Sequence, residues 1–447
     1  MKSILAVGTP FGFYGGGQKR NYNTLLEYRR MGLDVYLYLP IGEILEILYN
    51  DPSHEMDFDN RMIENLENLE NSGVTLQSSI FDFISSAADY VAKVRRYANN
   101  SSMAGFMVQG FQWASQENSY ISNFRKEIGN IDAVYSLSGL FSRRAAFRFA
   151  HAMGKQMFIL LQLEPFVDPR IQKTNFVKPG EPIMSRLLYG NLLPKSKNLF
   201  SKFEFKKYAR SGIVKGILSV SSEPLEMSGL RNVVGSDMPV QILSPAYAFH
   251  RIAARERPKK KDDAAAIFYA RLVPAKGLLE LPYILSRIQK KMDVKLTVCG
   301  NFYLGWARES FMKKMKSFGI DVEYQGFLDG ESLYRKIAES KVFIYPTHSD
   351  SFSMSVMESI CLGTSVATYD IPAIRSVFGG LSPVKSVREG DVDSLSARSI
   401  DILEMNESDY RQEHSSKEVT EFIEKHKSWR NVAEAELLEI EKLLCKR

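Results

Sequence analysis

The chain has 447 residues, more than one ordinary hydrophobic core accommodates, so two domains are the first expectation. Apolar residues make up 45% and charged residues 25%, which excludes a disordered chain, and no apolar run approaches the ~18 residues that span a bilayer. The net charge of +6 permits anionic partners but does not argue for nucleic acid.

The first half opens with an apolar strand, Ile4 to Val7, and a glycine-containing loop from Gly8 to Gly17. A helix follows over Gln18 to Met31, stopped by Gly32, and Val35 to Leu39 reads as a second strand closed by Pro40. This strand-loop-helix-strand order favours parallel strands in a doubly wound sheet. Further strands are expected at Ala133 to Ser136, Met157 to Leu161 and Gly216 to Val220, with a helix at Leu140 to Met153.

A charged, Pro-containing stretch from Arg255 to Asp263 looks like a connector. Beyond it the same grammar repeats. Strands are expected at Ala265 to Tyr269, Val294 to Val298, Val322 to Tyr324 and Val342 to Tyr345. Helices are expected at Gly277 to Lys290, Ala307 to Phe318, Leu333 to Glu339 and Ser355 to Cys361. The fold class expected is α/β, with two Rossmann-like doubly wound units facing a cleft where open sheets bind ligands. The boundaries drawn are 1–250 for the first unit, 264–428 for the second, and 429–447 for a final helix.

Two constellations in the second half carry chemistry. Arg271 and Lys276 stand five positions apart where a strand ends and a helix is expected to begin. Two cations beside a helix N-terminus suit a diphosphate. Asp350 ends a loop after a strand, and Glu358 follows eight residues later inside the next helix. A carboxylate in that helix can accept from the two hydroxyls of a ribose, and one in the loop can do the same for a sugar. The small residues Ser351 and Ser353 let backbone N–H groups come close to a ligand.

In these features the chain resembles glycosyltransferase family 4, the retaining group 1 enzymes of GT-B fold. The resemblance rests on the N-terminal glycine loop, Arg-x4-Lys at Arg271 and Lys276, and Asp-x7-Glu at Asp350 and Glu358, a form of the family's Glu-x7-Glu. The turn and strand Leu362 to Ala367 and the Ser428-Trp429 pair before a final helix, Asn431 to Leu444, add to it. It covers nearly the whole C-terminal half but only the first ~40 residues and the strand rhythm of the other. The resemblance implies that Arg271 and Lys276 hold and neutralise the donor diphosphate, and that Glu358 holds the ribose. It implies that Asp350, with the backbone of Ser351, Phe352 and Ser353, holds the transferred sugar. Phe327 resembles the position whose backbone meets the base, and Gly15, Gly16 and Gly17 let the first unit's loop approach the reacting centre. Two departures stand out. The first motif carboxylate is Asp350 rather than Glu, and the two positions where relatives often carry His read Tyr135 to Ser138 and Leu161 to Glu164. Glu164 is the one titratable candidate there for an acceptor-side catalytic residue.

The reading is transfer of a sugar from a nucleotide-diphosphate donor to a glycan or lipid-linked acceptor, with retention and without metal or cofactor. A nucleotide-sugar epimerase of the same fold and a non-catalytic nucleotide-sugar-binding protein are the alternatives. Asp57 with Asp59, and Asp391 with Asp393, have an Asp-x-Asp look but lie in polar, irregular context and read as solvated acids. His348 reads as a loop residue lining the cleft. Cys299, Cys361 and Cys445 have no metal-ligand spacing and read as buried thiols. Pro165 to Gly212 holds ten Lys or Arg against three acids, interleaved with apolar residues. That composition suits peripheral contact with an anionic membrane surface, or else an ordinary helical insertion. The start has too short an apolar run for a signal peptide, so a cytoplasmic location is expected, at most on the inner face of the membrane.

Overall fold

The computed structural model describes residues 1–11, 15–50, 58–97, 116–137, 139–166, 193–249, 261–328 and 330–445. Two all-parallel sheets organise them. The first has seven strands: β1 (Ser3–Val7), β2 (Asp34–Tyr38), β3 (Thr75–Leu76), β4 (Ala133–Ser136), β5 (Gln156–Leu161), β6 (Val214–Ser219) and β7 (Val240–Ile242). They lie in the order β3-β2-β1-β4-β5-β6-β7. The second has six: β8 (Asp262–Tyr269), β9 (Lys295–Cys299), β10 (Val322–Gly326), β11 (Ser340–Tyr345), β12 (Ser365–Tyr369) and β13 (Val384–Val387), in the order β10-β9-β8-β11-β12-β13.

The apolar runs explain the strands. In β1 and β11 every residue is buried, as expected where helices cover both faces of a parallel sheet. In each sheet the chain reverses direction of winding beside its first strand, between β1 and β4 and between β8 and β11. Ligands bind outside the carboxyl ends of strands at such switch points. The loops leaving β1, β4, β8 and β11 therefore define the site.

The helix Gly16–Arg30 ends where Gly32 adopts φ 86°. The final helix Trp429–Cys445 lies against it. Arg20 and Glu436, both fully buried, form an ion pair of 3.0 Å, and the Tyr28 hydroxyl donates to Glu436 at 2.7 Å. Tyr135 also donates to Glu436. Burial opposes the charge on Arg20, but Glu436 together with Tyr135, Tyr247 and Tyr28 outweighs it and raises the pKa. Removing either partner would strand a buried charge, so the pair specifies where the last helix docks.

Four expectations need correction. Gly277 to Lys290 is not one helix: a 3-10 turn, Pro274–Lys276, is followed by a helix only at Leu281–Ile288. Gly277 sits at φ 77°, and Pro282 fits the first turn of the later helix. Asp262 and Asp263 are not connector but the start of β8, and residues 250–260 lie outside the described residues. Cys299 and Cys361 are buried, but Cys445 is exposed near the end of the last helix. The sequence pattern also passed over the helices Val392–Glu404, Glu407–His414 and Lys417–Lys425.

Candidate donor site between the two sheets

Lys276 and Asp350 meet after the first and fourth strands of the second sheet. Lys276 Nζ lies 2.9 Å from Asp350 Oδ2 and donates to the Ser349 carbonyl at 2.8 Å. The Tyr345 hydroxyl donates to the same Asp350 oxygen at 2.6 Å. Burial opposes both charges. It is overcome at Lys276 chiefly by Asp350, so the pKa is raised, and at Asp350 by Lys276 and Tyr345, so the pKa is lowered. Arg271 is exposed, lies within the electrostatic reach of both, and its guanidinium has no hydrogen bond or ion pair among the described residues. The two cations thus differ. Lys276 is already engaged and sits at the end of a 3-10 turn rather than at an α-helix N-terminus. Arg271 is free.

The helix terminus near them is that of Met354–Cys361, preceded by Ser353 at φ 66°. Ser353 alone among the described non-glycine residues has a positive φ, a conformation that costs about 1–3 kcal/mol and collects at binding sites. Its hydroxyl is buried with no hydrogen-bond partner among the described residues. The backbone N–H groups of Ser351, Phe352, Ser353, Met354 and Ser355 likewise find no partner there. A run of unpaired amides at a helix N-terminus is an anion cradle. The Phe352 ring turns away from it, packing on Tyr247 at 4.6 Å and Phe378 at 5.8 Å, so only its backbone is available.

Glu358, one turn further along, is half-buried, and its carboxylate accepts no hydrogen bond among the described residues. Burial lifts its carboxyl to about 7, with Lys19 of the first sheet's leading helix pulling the other way. From that side Gly16 presses on Met354: a Cβ on Gly16 would come within 2.6 Å of Met354 Sδ. A Cβ on Gly17 would come within 2.8 Å of Gln162 Oε1, and one on Gly15 within 3.2 Å of Gln18 Oε1. Gly16, at the start of the helix, is therefore packed against the opposing unit, and Gly15 and Gly17 against side chains of their own unit.

Glu164 also faces across. Its Oε1 accepts from the Ser351 hydroxyl at 3.4 Å. Burial raises its pKa, and Asp350 adds to the rise. Where relatives often carry His, Gln162 donates to Asn21 Oδ1 at 2.7 Å and to the Leu137 carbonyl at 2.6 Å. Phe327 stands apart, 77% exposed after the edge strand β10. His348 is held between Glu389 and Glu280, 2.8 Å from each; burial opposes its charge, but the two carboxylates raise its pKa. Asp391 caps the helix Val392–Glu404 through the Ser394 N–H, and Asp393 pairs with Arg287. Asp57 lies outside the described residues. Among the described residues no three His, Cys, Asp or Glu are grouped to hold a metal ion.

The pattern missed one buried residue entirely. Glu223, on the short helix Glu223–Glu226 after β6, accepts from the Asp350 N–H at 3.0 Å and the Ala373 N–H at 3.2 Å. Burial, with Glu164 second, pushes its carboxyl up to about 8. In sequence it reads only as the acid of a Ser-Ser-Glu-Pro helix start, with nothing to indicate a partner 127 residues away.

Residues 250–419 match the family model for group 1 glycosyl transferases. The O-antigen chain mannosyltransferase B of Escherichia coli is 24% identical over 144 residues, which is 31% of this chain and 36% of that protein. The match thus spans about a third of the curated relative's length. Among solved structures, Anabaena HepE in complex with UDP and glucose superposes with TM-score 0.62 at 10% identity, covering 98% of this chain and 100% of that one. A glycosyltransferase from Rickettsia africae gives 0.62 at 11% identity over 100% and 99% of the two chains. Sucrose-phosphate synthase from Thermosynechococcus elongatus gives 0.61 at 12%, over the full length of both. The fold is the two-sheet α/β architecture called GT-B.

Proposed function

We propose that this protein is a retaining glycosyltransferase of the family 4 kind, moving a sugar from a nucleoside-diphosphate donor to an acceptor without a metal ion. The observation that carries the reading is the convergence of a free cation, Arg271, with unpaired amides at Ser351 to Ser355 and an unpartnered carboxylate, Glu358. A diphosphate satisfies the first two and a ribose the third. Positive charge and oriented amides at a leaving diphosphate form a preorganised electrostatic site. Lys276 would exchange Asp350 for the diphosphate, leaving Asp350 to accept from the sugar's hydroxyls. Glu164 faces that point from the first sheet as the acceptor-side acid or base, and contact between the two units excludes water. The UDP and UDP-glucose bound by HepE and the mannosyl transfer named for the Escherichia coli relative fit such a donor.

For the acceptor, the helix Leu193–Arg210 supports a lipid-linked glycan on an anionic surface. Leu199, Phe200 and Phe203 are 71%, 68% and 69% exposed, and Lys195, Lys202, Lys206, Lys207 and Arg210 are exposed around them. At ~100° per residue these side chains share one continuous face, the pattern of an interfacial helix. Residues 167–192, which complete the basic segment, lie outside the described residues, and no described helix is long and apolar enough to cross a membrane.

The test is incubation with nucleoside-diphosphate sugars in EDTA, with and without lipid-linked acceptors, and proton NMR of the product. Transfer with the donor's anomeric configuration kept supports the reading. Inversion, a metal requirement, or epimerised donor formed without acceptor would refute it.

A further inference from the structure

The loop that would hold the donor sugar is shaped by a side chain from the opposite unit. Asp350 and Ala373 lie after β11 and β12, neighbouring strands of the second sheet. Both offer their backbone N–H to one carboxylate, Glu223, from the end of β6 in the first sheet. The Ala373 amide belongs to the first turn of the helix Pro372–Phe378, where no intrahelical acceptor exists, so Glu223 caps that helix from the other unit. Its neighbour Ser221 donates to the Ser351 carbonyl, and the Ser221 hydroxyl in turn accepts from the Glu223 N–H at 3.1 Å. Ser222 also crosses, its hydroxyl donating to the Pro372 carbonyl at 3.1 Å and its N–H to the Ser376 hydroxyl at 3.2 Å. These two contacts reach only the helix. Those of Ser221 and Glu223 reach the donor loop.

The bonding has a direct consequence. With the Asp350 amide and the Ser351 carbonyl fixed, the chain enters Ser353 in its positive-φ conformation with the next five amides left unpaired. Separate the two units, and the loop loses both restraints together.

We propose that Glu223, assisted by Ser221, is a positioning residue that couples contact between the two units to the shape of the sugar-holding loop, so that the donor site is complete only when the units are closed. The catalytic consequence rests on the donor-site reading; the coupling itself does not.

The two are separable by experiment. Amide hydrogen exchange on the whole protein is compared for wild type, Glu223→Ala, Glu223→Gln and Ser222→Ala. Glu223→Gln keeps the volume but turns an N–H₂ toward a backbone N–H. The expected result is faster exchange at Asp350 and across Ser351–Ser355 in both Glu223 variants. Ser222→Ala should change exchange only around Pro372–Ser376. In turnover, a displaced loop costs on the order of 10²-fold in kcat for the Glu223 variants, because misplacement by about 1 Å has that effect. Their affinity for the nucleoside diphosphate should fall as well, because the displaced Ser351–Ser355 amides form part of that site, whereas Ser222→Ala should stay close to wild type in both. Unchanged Asp350 exchange in both Glu223 variants would overturn the coupling. So would equal kcat losses in Ser222→Ala and Glu223→Gln, which would mark a generic interface. A wild type that turns over no nucleoside-diphosphate sugar would refute the donor reading, and the exchange result would still decide the coupling.

Discussion

Lys276 and Arg271, paired in sequence, should separate cleanly under mutation. In Lys276→Met the Asp350 carboxylate loses an ion pair at 2.9 Å and the Ser349 carbonyl loses a donor at 2.8 Å. Breaking a buried pair by removing one partner costs about 3–5 kcal/mol. The Asp350 side chain keeps 22% exposure and the Tyr345 hydroxyl, which moderates the loss to roughly 2–4 kcal/mol. At about 2–4 °C per kcal/mol, melting should fall by roughly 5–15 °C. The pH dependence has a definite sign. In wild type the Asp350 pKa is depressed, so the pair stabilises above the usual carboxylate range and that contribution fades as pH falls. In the variant burial raises the same pKa, so Asp350 takes up a proton earlier, and the deficit should shrink as pH falls toward about 4. Asp350→Asn added to Lys276→Met should recover most of the loss. Arg271→Ala touches an exposed side chain without partners and should stay within about 0.5 kcal/mol of wild type. Both single variants should lower transfer by about 10²–10³-fold. Calorimetric melting from pH 4 to 8 and donor turnover are the assays. Equal stability losses in the two variants, or near-normal turnover in both, would refute the reasoning.

Nucleoside-diphosphate affinity should rise with pH through about 7, because ribose hydroxyls favour the ionised Glu358, and titration calorimetry should show Glu358→Gln lacking most of that rise. Gly277→Ala should destabilise by about 2–4 kcal/mol in chemical denaturation, since at φ 77° its Cβ would meet the Pro346 carbonyl oxygen at 2.1 Å. Protein should sediment with anionic vesicles at low salt and be released by about 0.5 M salt, as each surface cation contributes about 1 kcal/mol that salt screens. Leu199→Ser with Phe203→Ser should abolish that binding and leave donor turnover intact, whereas wild type remaining in the supernatant would make the helix a structural insertion.

The sheets were readable because their strands are short, continuous apolar runs bounded by Gly, Pro or charge, as at Ile4 to Val7 and Val342 to Tyr345. The Gly277 to Lys290 helix was misread because periodicity does not register a left-handed glycine that stops one turn before another begins. At the site, spacing placed Arg271, Lys276, Asp350 and Glu358 correctly on the carboxyl side of β8 and β11. It could not reveal that Lys276 is spent on Asp350 or that the Phe352 ring faces away. Glu223 and the Arg20–Glu436 pair were invisible for a different reason. Their partners lie more than a hundred residues away, and a lone buried acid has no periodic signature.

The central claim is a nucleoside-diphosphate site built by Arg271, the Ser351–Ser355 amides and Glu358. Titration of UDP, GDP and ADP into the wild type, Arg271→Ala and Glu358→Gln, all in EDTA, tests it most directly. The account predicts saturable binding of at least one diphosphate to wild type, weakened about tenfold or more in each variant, since a hydrogen bond to a charged group contributes about 1.5–3 kcal/mol. Wild type that binds none of the three, or variants that bind as tightly as wild type, would contradict it.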